Sequence, residues 1–205
     1  VPQIGVDSNL FLPELRIKKS KFFIGYVGGL VYEKGVDLIF RAAKILYDQG
    51  HEFKIVICGD GPYNHELRQL AKDLSIINNI DWLGEIKHDD IPIAIAQLDV
   101  LILPSRTMPN WKEQFGHVLI EAMAMGVPVI GSSSGAIPNV IGRTDAIFTE
   151  NNFNELSKII KRILLDPDWK DQLVKFGRKN VQEKYTDKSI ANSLVSIFDQ
   201  ITAKA

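Results

Sequence analysis

Between residues 100 and 130 the chain changes its hydrophobic period twice, and that change narrows its fold more than any other feature. The apolar run Val100–Leu103 stops at Pro104 and a polar loop follows. From Phe115 the apolar residues return at helical spacing, with Val118, Leu119, Ala122, Met123 and Met125 on one stripe. Gly126 ends that helix, and residues 127–130, Val-Pro-Val-Ile, read as the next strand. Such a strand–loop–helix–strand unit sets the free amides of a helix N-terminus at the carboxyl edge of a parallel sheet. That edge is a natural anion site.

The same alternation runs through the rest of the chain. Residues 22–27, 53–58, 80–83 and 99–103 read as strands, and 36–49, 64–74 and 91–97 as helices. Leu67, Leu70, Ala71 and Leu74 form the inward face of the second helix. Asp60, in Gly59-Asp60-Gly61-Pro62, reads as a turn former and helix-capping residue. A short helical piece at 139–141 and a strand near 146–148 precede three helices at 154–165, 168–185 and 188–203, with Pro167 at a tolerated early position. Strands alternating with helices predict an α/β fold, a doubly wound, Rossmann-like parallel sheet with extra carboxyl-terminal helices. Ligands of such sheets bind outside the carboxyl ends of the strands, so the loops after residues 27, 83, 103 and 130 are expected to converge.

Composition excludes several function classes. At 205 residues the chain holds one large domain or two small ones, and 45% hydrophobic content supports a proper core. A net charge of −1 offers no handle for nucleic acid or an acidic membrane surface. Cys58 is the single cysteine, which excludes an internal disulfide and suits a reducing compartment; it ends an apolar run and reads as a buried structural thiol. No apolar run approaches the ~18 residues of a membrane helix and no signal peptide is evident. The expected location is therefore cytoplasmic. A start at Val1 rather than methionine reads as a cut piece.

The side chains make the generic unit specific. Glu113-x-Phe115-Gly116, then Glu121-Ala-Met-Ala-x-Gly-x-Pro-Val, then Ser132-x-x-Gly-x-Ile-Pro-x-Val-Ile-Gly142, resembles the donor-binding signature of family 4 glycosyltransferases. The resemblance implies the carboxyl-terminal half of a GT-B enzyme, retaining and metal-independent. Its substrate would be a nucleotide-diphosphate sugar and its acceptor a glycan or lipid-linked glycan. It implies no cofactor, and a longer cytoplasmic parent peripheral to the inner face of the membrane. Residues 1–15 then resemble the interdomain linker, 16–185 the donor-binding domain, and 186–205 a helix that crosses back onto the amino-terminal half. The stripe of Ile190, Leu194, Ile197, Phe198 and Ile201 would make that crossing. A fragment without the acceptor side is expected to bind donor and transfer poorly.

The same resemblance assigns residues. Gly28-Gly29-Leu-Val-Tyr-Glu-Lys34-Gly35 is similar to the family's G-R-L-x-x-x-K-G, whose Arg and Lys hold the donor diphosphate. Lys34 matches the lysine, but Gly29 stands where the arginine is expected. Losing that cation is worth on the order of 2–4 kcal/mol of transition-state stabilisation. Arg106, Lys112 and Arg143 are the candidates to compensate. Glu113 is expected at the donor sugar's hydroxyls, the amides of Phe115, Gly116 and His117 at sugar and diphosphate, Ile86 at the base, and Glu121 at the ribose hydroxyls. Lys34 and Glu113 are the expected catalytic residues. Asn139 and Asp145-Ala146 depart mildly from an acidic residue and an Asp-Gly usual in relatives.

Rival readings are weaker. Glu113 and Glu121 as a glycosidase pair would sit one before the helix and the other two turns inside it. His117 and Glu121 share the i, i+4 spacing of metal ligands but lack a third partner. Among whole functions, the alternatives are a nucleotide-sugar 2-epimerase of the same overall fold, which lacks the F-G…E-A-M-A-x-G run, and a non-catalytic nucleotide-binding module, which Gly29 favours. The loop with Arg106, Asn110, Trp111 and Lys112 reads equally as a sugar contact or as packing on the domain's own edge.

Overall fold

The computed structural model describes residues 5–7, 9–16 and 19–202, without the side chains of 197, 198, 200 and 201. Six parallel strands form one sheet: β1 (Phe22–Val27), β2 (Phe53–Cys58), β3 (Ile80–Gly84), β4 (Val100–Leu103), β5 (Val129–Ser132) and β6 (Ile147–Phe148), in the order β3-β2-β1-β4-β5-β6. Between them run α1 (Val36–Asp48), α2 (Asn64–Asp73), α3 (Ile91–Ala96), α4 (His117–Ala124) and α5 (Ile137–Ile141). α6 (Phe153–Leu165), α7 (Pro167–Lys184) and α8 (Asp187–Thr202) follow the last strand. The expected doubly wound sheet is the observed one.

Strand order reverses between β1 and β4, which pair through Ile24 with Val100 and Gly25 with Leu101. The loops leaving these neighbours diverge to opposite faces and leave a crevice between them. Beneath it Ile24, Tyr26, Ile55, Ile57, Val100 and Ile102 are fully buried. Each large apolar side chain so placed contributes about 1.5–3 kcal/mol through burial, which makes the sheet a rigid base for its loops. Cys58 is buried here too, and burial pushes its thiol up to about 11.

Boundaries shift where the backbone has a local reason. α4 starts at His117 rather than Phe115, because Gly116 precedes it at φ 81°, in the left-handed region. β5 starts at Val129, two residues later than expected, because Val127 N–H still closes the end of α4 on Ala122 O at 2.9 Å and Pro128 has no N–H for a ladder. Asn152 caps α6 through Glu155 N, and Asp166 caps α7 through Trp169 N with Pro167 in the first turn. Asp60 is a turn former, its carboxylate accepting from Gly61 N and Asn64 Nδ2; it does not cap α2, which begins after Tyr63.

The first segment packs on the domain. Val6 N–H donates to Tyr185 O at 2.8 Å, and Val6 and Phe11 are buried; residues 1–4 and 8 of the expected linker lie outside the described residues. On α8, Ile190 of the stripe is buried while Leu194 is 41% exposed. Side chains 197, 198 and 201 of that stripe, and residues 203–205 of the expected segment, lie outside the described ones. Among the described residues no helix is long and apolar enough to cross a membrane.

Candidate functional site

Seven of the nine residues expected at the site line one groove at the switch point. Gly28, Gly29 and Lys34 come from the β1–α1 loop, and Glu113, Phe115, Gly116 and His117 from the β4–α4 loop, around a cavity of about 350 Å³. Ile86 lines an adjoining cavity of about 520 Å³ that shares Gly28 and Gly29. Glu121 lines neither.

At the centre Lys34 Nζ donates to Glu113 Oε2 at 2.7 Å. Glu113 is held from three sides. Ser105 Oγ donates to the same oxygen at 3.0 Å, and the Glu113 main-chain carbonyl accepts from Ala136 N at 3.0 Å. Gly135 makes that last contact feasible, because a Cβ there would stand 2.0 Å from Glu113 O. Lys34 also lies 5.0 Å from the centre of the Trp111 ring.

Next to this pair the chain presents donors. The amides of Phe115, Gly116, His117 and Val118 have no backbone acceptor among the described residues, as the first turn of a helix requires. With the partial positive charge of the α4 N-terminus they favour an anion or hydroxyl oxygens in the groove. On the opposite wall Tyr26, fully buried, donates its hydroxyl to Gly29 O at 2.8 Å and so orients the glycine turn. Tyr26 and Ser105 are residues that sequence reading missed. Tyr26 reads as an ordinary strand interior, and only its position two residues before Gly28 hints at more.

Two of the three candidate compensating cations are committed elsewhere. Arg106 is buried and makes a fork with Asp37, Nη1 to Oδ1 at 2.8 Å and Nη2 to Oδ2 at 2.6 Å. Its Nε donates to Asn151 at 2.6 Å and its Nη1 to Tyr32 O at 2.9 Å. Burial opposes its charge, but the bond and field of Asp37 outweigh that and leave the guanidinium pKa raised. Arg106 therefore ties the β4–α4 loop to α1 and to the turn Tyr32–Lys34 that carries Lys34, rather than reaching the groove. Arg143 is paired with Asp145 and lies over the Phe176 ring. Lys112 remains, exposed in a cavity that adjoins the groove at Gln114.

Glu121 sits one turn beyond His117 on the same face of α4. It is partly buried, and its carboxylate has no hydrogen-bond partner among the described residues; burial raises its pKa, and nearby His88 offsets this in part. Among the described residues no three His, Cys, Asp or Glu side chains are grouped to hold a metal ion.

The family model described as Glycosyl transferases group 1 matches residues 7–180. The chain belongs to this family. An uncharacterized glycosyltransferase of Methanocaldococcus jannaschii is 29% identical over 190 residues, covering 92% of this chain and 47% of that protein. Sucrose-phosphate synthase from Thermosynechococcus elongatus superposes with a TM-score of 0.81 at 25% identity, over 98% of this chain and 52% of that one. Anabaena HepE, solved in complex with UDP, superposes with a TM-score of 0.77 at 22% identity, over 94% and 56%. These neighbours have the GT-B fold. The chain spans about half the length of the curated relatives it matches.

Within this glycosyltransferase domain the departure at Gly29 has a plain geometric description. A Cβ at Gly29 would meet no atom within 4 Å, and its φ is not in the left-handed region. Neither backbone nor neighbours require glycine there. The structure does not explain the replacement.

Proposed function

We propose that this chain is the donor-binding half of a retaining, metal-independent glycosyltransferase that moves a sugar from a nucleoside-diphosphate donor to a glycan or lipid-linked acceptor. The observation that carries the reading is the convergence of Lys34, Glu113 and the α4 amides on one groove. The domain's membership of a sugar-transferring family and the UDP bound by HepE support it.

In this reading the diphosphate lies along Gly28-Gly29 and the α4 N-terminus, with Lys34 supplying charge as the sugar–phosphate bond breaks. Ile86 meets the base, Glu121 accepts from the ribose hydroxyls, and Glu113 orients the transferred sugar. The acceptor hydroxyl attacks the anomeric carbon from the face of the departing diphosphate, its proton passes to a leaving phosphate oxygen, and configuration is retained. Catalysis is positioning and charge stabilisation. Most of the acceptor side belongs to the rest of a longer cytoplasmic protein, peripheral to the membrane, so this chain alone binds donor and transfers little.

Calorimetric titration with UDP, GDP and ADP, beside Lys34→Ala, tests this. One nucleotide binding clearly, and weakened in the variant, supports the donor site and names the base. Silence from all three, or binding indifferent to Lys34, overturns it.

A further inference from the structure

The connection from β4 to α4 runs from 104 to 116, thirteen residues, where strand–helix connections of this kind usually need about 2–6. Loops of that length in a compact domain are commonly functional. This one is shaped rather than slack. Met108 N–H donates to Trp111 O at 2.7 Å, and Trp111 N–H donates to Met108 O at 3.2 Å, closing a tight turn. One end is pinned where the Thr107 amide and hydroxyl donate to the Glu150 carboxylate at 2.6 and 2.8 Å. The other is pinned where Glu113 meets Lys34 and Ser105.

The turn lines an open cavity of about 490 Å³ that shares Gln114 with the donor groove. Trp111, half-buried, sits beside Lys34, where the sugar–phosphate bond would break. Asn110, Lys112 and Gln114 stand exposed around it with no side-chain partner among the described residues. A flat aromatic ring flanked by amides and an ammonium matches a pyranose, whose C–H face packs on the ring while its hydroxyls take the polar groups. The donor groove has its own lining in Lys34, Glu113 and residues 115–117, none of which lines this cavity. Resting on the transferase reading above, we propose that the turn 107–112 is a saccharide subsite that seats the acceptor's terminal pyranose against Trp111.

The test is NMR titration of the 205-residue chain with methyl glycosides of glucose, mannose, galactose and N-acetylglucosamine. The indole signals of Trp82, Trp111 and Trp169 serve as reporters, with Trp111 assigned by its loss in Trp111→Phe. At least one glycoside should shift Trp111 saturably and leave the other two indoles in place. Followed at the Asn110 and Gln114 side-chain amides, Trp111→Ala should weaken that binding about threefold or more, the size of one aromatic contact. UDP and GDP titrations, read at the Gly28, Gly29 and Gly116 amides, should be unchanged by Trp111→Ala. No shift at Trp111 with any of the four, equal shifts at all three indoles, or binding undiminished in the alanine variant overturns the subsite. Displacement of the glycoside by nucleotide overturns its assignment to the acceptor. A silent nucleotide titration with Trp111 still responding counts against the donor reading alone.

Discussion

Lys34 and Glu113, 79 positions apart, meet at 2.7 Å across the point where the sheet reverses its strand order. The pair is asymmetric, with the lysine side chain 25% exposed and the glutamate 9%. Glu113 is thus fixed by the fold, whereas the ammonium keeps one side toward the groove and is available to a diphosphate.

Removing the lysine should act on stability and binding together. Lys34→Ala leaves the Glu113 carboxylate with only Ser105 Oγ, so thermal unfolding should fall by about 1–3 kcal/mol, less than a fully buried pair would cost. Nucleoside-diphosphate affinity should drop roughly tenfold or more, the value of one charge-assisted bond. An unchanged melting temperature and an unchanged affinity would remove Lys34 from the site.

Arg106 should prove structural and far more costly. Arg106→Ala strands the Asp37 carboxylate in the interior and should destabilise by about 3–5 kcal/mol in urea unfolding. Arg106→Lys should recover only part of this, because an ammonium cannot reproduce the two-pronged bond to Asp37. Full recovery by lysine would mean that charge alone, and not the fork, joins the loop to α1.

Gly29→Arg should fold as well as the wild type, within about 0.5 kcal/mol, since its Cβ position is open. If the diphosphate passes this turn, the new guanidinium should tighten UDP or GDP binding roughly tenfold, as a charge-assisted hydrogen bond would. Calorimetry decides it. Equal affinities would place the phosphates away from Gly29.

Glu121 should imprint a pH dependence. Burial raises its pKa in the folded state, so the folded chain holds this proton more tightly than the unfolded one. Its contribution to stability is therefore full below the ordinary glutamate value of about 4.3 and declines as pH rises through the raised folded-state value. Glu121→Gln should flatten that decline in urea unfolding followed from acid to neutral pH. Nucleotide binding should run the other way and tighten with rising pH, because ribose hydroxyls favour the ionised acceptor. A decline identical in both proteins would exclude Glu121 as its source.

Much of this was readable in the chain. The period change around 100–130 and the glycine turn at 28–35 set the strand and helix order, and the order set the edge where loops gather. Glu113, Phe115 and Gly116 were legible because motif residues on one loop stay together whatever the rest of the fold does. Boundaries were less so. Gly116 permits a left-handed backbone without announcing it, and Pro128 delays a strand that apolar residues alone would start earlier.

Sequence alone determined the alternation of elements, the parallel sheet and the family, because hydrophobic period and glycine punctuation act over a few residues at a time. Tertiary structure decided which charges remain available. Arg106 looks like a free cation in the chain, yet the crossover brings Asp37, 69 positions away, against it and consumes it. Gly29 looks like a turn glycine, and only the empty space at its Cβ shows that nothing there requires one. Partner choice depends on which loops the sheet brings within bonding distance, and that distance is written in no local pattern.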